Sequence, residues 1–288
     1  MRQARKAGEG LEILKGACDC HVHVFGPHAR FDLSKDRKYT PPEASVEELL
    51  RLQSALGLER AVVVQPSPYG TDNSCTLEAL RSLGSRARGV AVIHDSFSRT
   101  DLKKMHASGI RGIRVNLETG GERDPAVAGR AIEAAAAVAA PLGWHVQVYT
   151  SLPVLSLLHE AILKLKTVLV VDHFGLPRGR EGFGSLLELV RRGKAYVKLS
   201  APHRFAKEPD CADAGPLARE LAEANPDRLL WGSDWPHPAV KRSGGPGRVQ
   251  PFDAIDDARA LARLAEWLPD SNLRQKILVA NPARLYDF

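Results

Sequence analysis

The feature that most constrains this chain is an alternation: a short β-branched run, a polar or Gly/Pro loop, then an amphipathic helical stretch, repeating about every 30 residues. Strands are expected at Ala17–Val24, Arg60–Gln65, Arg88–Ile93, Ile110–Asn116, His145–Tyr149, Val168–Val171, Ala195–Leu199 and Leu229–Gly232. Helical stretches follow near Val46–Leu56, Ser74–Leu83, Thr100–Ala107, Pro125–Ala140, Leu152–Lys164, Gly184–Arg191, Ala212–Ala224 and Asp253–Trp267. Eight alternations favour a closed parallel barrel over an open doubly wound sheet, because about 250 residues is typical of the closed form. Runs such as Val62-Val63-Val64 are apolar on both faces, as strands are when helices cover the outside and side chains fill the inside. The expected fold is therefore α/β, a single (β/α)8 TIM barrel over residues 17–288. An extra C-terminal helix is expected within Leu273–Tyr286, and residues 1–16 read as a flexible N-terminal arm.

The formal charge of +6 raises the question of a nucleic-acid partner, so its distribution matters more than its sign. Residues 1–16 carry a net +2 and the stretch Ala239–Gln250 a net +3, which leaves +1 for the rest. No basic stripe interleaved with aromatics results, and no nucleic-acid partner is expected. No apolar run approaches the roughly 18 residues of a membrane span, and the N-terminus lacks the apolar centre of a secretory signal. A cytoplasmic location is the expectation. The four cysteines form neither a disulfide framework nor a C-x-x-C pair.

The first strand reads Ala17-Cys18-Asp19-Cys20-His21-Val22-His23-Val24, and strand side chains alternate faces. On strict alternation Asp19, His21 and His23 share one face, while Cys18 and Cys20 face the outer helices. Two imidazoles at the C-terminal mouth of a barrel need something to satisfy their nitrogens, either a metal ion or a hydrogen-bonded water and anion. The sixth strand ends in Asp172-His173-Phe174-Gly175 and the eighth in Gly232-Ser233-Asp234-Trp235-Pro236-His237, which brings His173 and Asp234 to the same mouth. Taken singly, His173 is equally a satisfied loop histidine and Asp234 a helix N-cap.

In combination, H-x-H, a later D-H-x-G and a C-terminal G-S-D-W-P-H resemble the amidohydrolase superfamily, in its amidohydrolase-2 branch of dicarboxylate, sugar-lactone and muconolactone hydrolases. The resemblance runs from His21 to the closing Asn281–Tyr286. It includes R-K-Y-T-P at Arg37–Pro41, Q-P-S-x-x-G-T-D-N at Gln65–Asn73 and R-G-I-R at Arg111–Arg114. Binuclear members carry a Lys at the end of the fourth strand and a His at the end of the fifth; here those strands end in Asn116 and Tyr149. The resemblance therefore implies a mononuclear site, zinc as in some close relatives, with His21, His23 and Asp234 as ligands and His173 either a ligand or a catalytic neighbour, or a site with no metal at all. No organic cofactor is expected.

Arg114 shares parity with Gly112 and Asn116, so it points into the mouth if they do, and Arg111 then faces outward. An inward guanidinium needs a partner, either a substrate carboxylate or an acid such as Glu118. Arg204, after the seventh strand, is a second anion-binding candidate or a solvated loop cation. The resemblance adds Tyr39, Ser67 and Tyr149 as substrate contacts, and His237 is a further candidate. A basic residue that the resemblance implies six positions after Arg114 is Gly120 here. The expected substrate is a small anionic lactone, opened by water that Asp234 deprotonates, with the three histidines stabilising the oxyanion. A decarboxylase, a lactone isomerase and a non-catalytic anion-binding barrel are the alternatives. A homo-oligomer is compatible with the sequence. Lys241–Arg248, rich in glycine, reads either as a flap over the mouth or as a surface loop. His94, His145 and His159 are assigned no role.

Overall fold

The computed structural model describes residues 14–94, 96–239 and 245–288. The expected arm falls mostly, and the expected flap partly, outside them. Among the described residues, eight parallel strands form one sheet in sequence order: β1 (Cys18–Val22), β2 (Arg60–Val64), β3 (Ala87–Ala91), β4 (Ile110–Asn116), β5 (His145–Tyr149), β6 (Leu169–Val171), β7 (Ala195–Ser200) and β8 (Leu229–Gly232). The two edges meet just beyond β8, where the Asp234 amide donates to His21 O (2.9 Å) and the His23 amide to Trp235 O (2.8 Å). The result is a (β/α)8 TIM barrel.

The covering helices are α1 (Val46–Leu56), α2 (Ser74–Leu83), α3 (Arg99–Ala107), α4 (Pro125–Ala139), α5 (Leu152–Leu157), α6 (His159–Lys164), α7 (Phe183–Arg191), α8 (Ala214–Ala224) and α9 (Asp257–Trp267). Local chemistry sets their ends. A capping box of Ser45 and Glu48 opens α1 and a left-handed Gly57 closes it. Four expected helices shift by one or two residues at an end, and two differ more. Leu152–Lys164 breaks at Leu158 into α5 and α6. The last covering helix starts at Asp257, because the Asp256 side chain caps the Arg259 amide. The C-terminal helical stretch runs as α10 (Ser271–Gln275), a π turn over Lys276–Ala280, and α11 (Asn281–Tyr286). No helix of the described residues is long and apolar enough to cross a membrane.

The interior departs from strict alternation at one place. Between β1 and β2 the register advances three residues on β1 (Asp19 to Val22) against two on β2 (Ala61 to Val63), a one-residue bulge. Cys18 and Cys20 consequently pack inside the barrel with Val62, Val64, Val90, Val170, Tyr196, Leu230 and Tyr286, not against the outer helices. The bulge resets the phase, so that His21 and His23 still enter the mouth. Asp19 leaves the mouth altogether: its Oδ1 accepts from the backbone amides of His21 (3.1 Å) and Ser233 (2.9 Å) in the β1–β8 seam.

Candidate active site

Three strand ends build the centre. His21 and His23 come from β1, His173 follows β6 and Asp234 follows β8. His173 (φ 51°) and Asp234 (φ 69°) both hold the left-handed conformation that non-glycine residues avoid. Such backbone costs about 1–3 kcal/mol per residue, and it clusters at functional sites. Asp234 Oδ1 lies 3.6 Å from His21 Nε2, 3.7 Å from His23 Nε2 and 3.7 Å from His173 Nε2, and it has no hydrogen-bond partner among the described residues. The His21 and His23 Nε2 atoms are 3.3 Å apart. Gly232 makes the room, because a Cβ there would sit 2.7 Å from the His21 Cβ.

Each imidazole is oriented from behind. His23 Nδ1 faces Val64 O at 2.8 Å, and since a carbonyl only accepts, Nδ1 carries the proton. His173 Nδ1 pairs with Ser200 Oγ at 2.8 Å. His21 Nδ1 is faced by Lys198 Nζ and by Asp172 Oδ1, both at 3.2 Å. Burial pushes all three imidazoles down, His23 to about 3, so they are neutral. Burial raises Asp234, and the neighbouring Arg204 opposes that rise without cancelling it.

Arg204 is not a solvated cation. Its Nε donates to Asp234 Oδ2 at 2.9 Å, and its Nη2 also reaches Pro238 O at 3.1 Å. Arg114 points into the barrel as its parity predicts, but its acid is Asp172 (3.8 Å), with a bond to Gln65 O at 2.9 Å. Glu118 is instead taken by Arg123 at 2.8 Å. Arg111 pairs outside with Asp287 at 3.2 Å. Tyr39, Ser67, Arg114, Tyr149, His173, Arg204, Asp234 and His23 line one pocket whose free space, about 20 Å³, has room for about one water. His237 does not line it. That ring is buried beside Asp257, 3.1 Å away. Within the expected flap, Pro246 O accepts from Thr40 Oγ1 at 2.5 Å and Arg37 Nη2 at 3.3 Å, tying that stretch to the segment that carries Tyr39.

Sequence reasoning missed the layer beneath the imidazoles. Lys198, Asp172 and Gln147 are fully buried there, with Lys198 Nζ 2.7 Å from Gln147 Oε1 and 3.4 Å from Asp172 Oδ1, and Gln147 Nε2 donating to Asp172 Oδ2 at 3.1 Å. The signal was present: in Ala195-Tyr196-Val197-Lys198-Leu199-Ser200 the inward positions carry every polar side chain.

The donor set suits a divalent ion. His21, His23 and Asp234 offer ligand atoms within 4.8 Å of one another, as do His21, Asp172 and His173, and the orphaned Asp234 Oδ1 is an anionic oxygen ringed by imidazoles.

The amidohydrolase family profile (amidohydrolase-2) matches residues 18–288. A 2-pyrone-4,6-dicarboxylate hydrolase of Comamonas testosteroni is 36% identical over 96% of this chain and 92% of its own length. A 4-sulfomuconolactone hydrolase of Rhizobium radiobacter is 35% identical over 99% and 94%. Among solved structures, a probable 2-pyrone-4,6-dicarboxylic acid hydrolase of Acinetobacter baumannii with citric acid bound superposes with a TM-score of 0.81 at 26% identity, covering 95% of this chain and all of that one.

Proposed function

Because this chain belongs to the amidohydrolase-2 family, we propose that it hydrolyses a carboxylated lactone, of the pyrone-dicarboxylate, muconolactone or sugar-lactone type, with Asp234 as the base that activates water. The observation that carries the reading is Asp234 Oδ1, buried, unpartnered among the described residues and nearly equidistant from three imidazole Nε2 atoms. A water there gives its proton to Oδ1 as its oxygen attacks the lactone carbonyl. The ring C–O bond then breaks, and the same carboxyl returns the proton to the leaving oxygen, giving a hydroxy acid. A carboxylate raised by burial suits this work, since a base is most effective with a pKa near the working pH.

Charge points to an anionic substrate. With the imidazoles neutral and Asp19 set apart in the β1–β8 seam, the ionic groups at the mouth are Arg114, Lys198 and Arg204 against Asp172 and Asp234, one cation in excess. A substrate carboxylate on Arg114 or Arg204 supplies the missing charge through paired N–H donors. Should Arg204 turn to the substrate, Asp234 loses its counter-ion and becomes more basic. Gly120 brings no cation to the rim, so these two arginines carry the recognition, with Tyr39, Ser67 and Tyr149 as the walls. The free space is smaller than a lactone ring, so the ring enters by displacing side chains, Arg204 first. If a divalent ion binds, His21, His23, His173 and Asp234 would hold it, and it would supply Lewis acidity toward the carbonyl oxygen.

A panel of carboxylated lactones, followed by acid release in heavy-oxygen water, tests the reading. Solvent oxygen appears in the product of wild type and turnover is lost in Asp234→Asn. Product without solvent oxygen means rearrangement, and a wild-type rate in the Asp234→Asn variant removes the assigned base. Parallel runs with a chelator decide whether a metal is needed.

A further inference from the structure

His21 has two neighbours competing for one nitrogen, and they demand opposite forms of the ring. Lys198 Nζ is a donor at 3.2 Å from Nδ1, and Asp172 Oδ1 is an acceptor at the same distance. An ammonium has three N–H donors and no acceptor. Lys198 is fully buried and faces three acceptors: Gln147 Oε1 at 2.7 Å, His21 Nδ1 at 3.2 Å and Asp172 Oδ1 at 3.4 Å. Asp172 Oδ1, although close to Nδ1, receives no hydrogen bond of proper geometry among the described residues. On the far side of the ring, His21 Nε2 meets His23 Nε2 at 3.3 Å, and His23 has already placed its proton on Nδ1 against Val64 O. That contact is a hydrogen bond only if His21 Nε2 is the donor.

We propose that Lys198 is a positioning residue that fixes the tautomer of His21, holding its proton on Nε2 and thereby setting the centre against divalent ions. In this form His21 presents an N–H to the reacting centre, which serves a developing oxyanion and cannot ligate a metal. Metal ligation requires the proton to move to Nδ1, where Asp172 Oδ1 stands ready to accept it. Lys198 and Asp172 are thus opposed controls on one ring. The inference rests on the reading of the His21, His23, His173 and Asp234 cluster as the reacting centre, but not on which lactone is opened.

The test reads the ring directly, by long-range proton–nitrogen correlation spectra of histidine-labelled protein, with a His21→Gln variant to assign the signal. Zinc-free wild type shows His21 protonated on Nε2, Lys198→Arg keeps it there and Lys198→Met moves it to Nδ1. In zinc titrations against a chromophoric chelator, Lys198→Met tightens binding and Asp172→Asn weakens it by about 10–100-fold, the usual reach of an outer-sphere partner. Loss of positive charge alone would tighten zinc without moving the proton, so an Nε2–H signal surviving in Lys198→Met overturns the assignment. So does Nδ1–H in zinc-free wild type, a measurement that stands even if the Met variant does not fold. Neither result bears on the lactone panel, and a failed panel leaves the tautomer result intact.

Discussion

The lower and upper halves of the barrel interior hang from the same strands and differ by one step along each. Below, Cys18, Cys20, Val62, Val64, Val90, Val170, Tyr196 and Leu230 pack with Tyr286 as an apolar plug. Above, the next inward positions are His21, Gln147, Asp172, Lys198 and Ser200, all buried. Val170 gives way to Asp172 and Tyr196 to Lys198 within two residues. The lower half removes apolar surface from water and stabilises the closed sheet. The upper half buries charges whose desolvation is only partly offset by pairing, and it persists because the plug beneath holds the strands in place. Stability and chemistry therefore separate along the barrel axis.

The separation can be broken by substitutions on either side. Asp234→Asn should lower kcat by about 10²–10⁴-fold, the reach of a general base, with the circular dichroism spectrum unchanged. Leu230→Ala, in the plug, should cost about 2–5 kcal/mol in urea unfolding while kcat per folded molecule stays near wild type. A fall in kcat as deep as that of the Asp234 variant would show that the halves are not independent. Gly232→Ala lies at the boundary and should affect both: its Cβ would meet the His21 Cβ at 2.7 Å and the His21 backbone nitrogen at 2.9 Å, a fault of about 1–3 kcal/mol that also displaces the imidazole.

The smallest effect is in pH dependence. His145, inside the barrel against Tyr286, is held neutral by burial, which lowers it to about 3. The unfolded chain takes up that proton below about 6.5 and the folded chain does not, so stability contributed at neutral pH is lost as pH falls from about 6.5 toward 3. His145→Leu should remove about 1.4 kcal/mol of that loss per pH unit, read as the difference in urea midpoints between neutral and mildly acidic buffer. An unchanged slope would mean that the ring is protonated in the folded protein.

The barrel, its strand order and the three strand ends bearing the central residues were legible because alternation and motif spacing are local properties. The fate of Cys18 and Cys20 was not, because a one-residue bulge in β1 inverts the facing rule and leaves no mark in composition. Arg114 was placed correctly by parity, but its partner Asp172 lies two strands away, where only the closed barrel brings it near. Arg204 shows the same limit: nothing local joins it to Asp234, 30 residues on. His237 is close to Asp234 in sequence yet turns to Asp257, since the left-handed backbone at both residues redirects the loop. Lys198 was visible as a cation in an apolar strand, but its meaning depended on what stood opposite.

The ladder joining first strand to last runs through the clustered residues themselves, His21 O to the Asp234 amide and the His23 amide to Trp235 O. A polypeptide still missing its final fifth, whether on the ribosome or after a nonsense mutation, holds His21, His23 and His173 but lacks Asp234. Closing the sheet and completing the cluster of three imidazoles and one carboxylate are thus a single event, reached only when the last strand is in place.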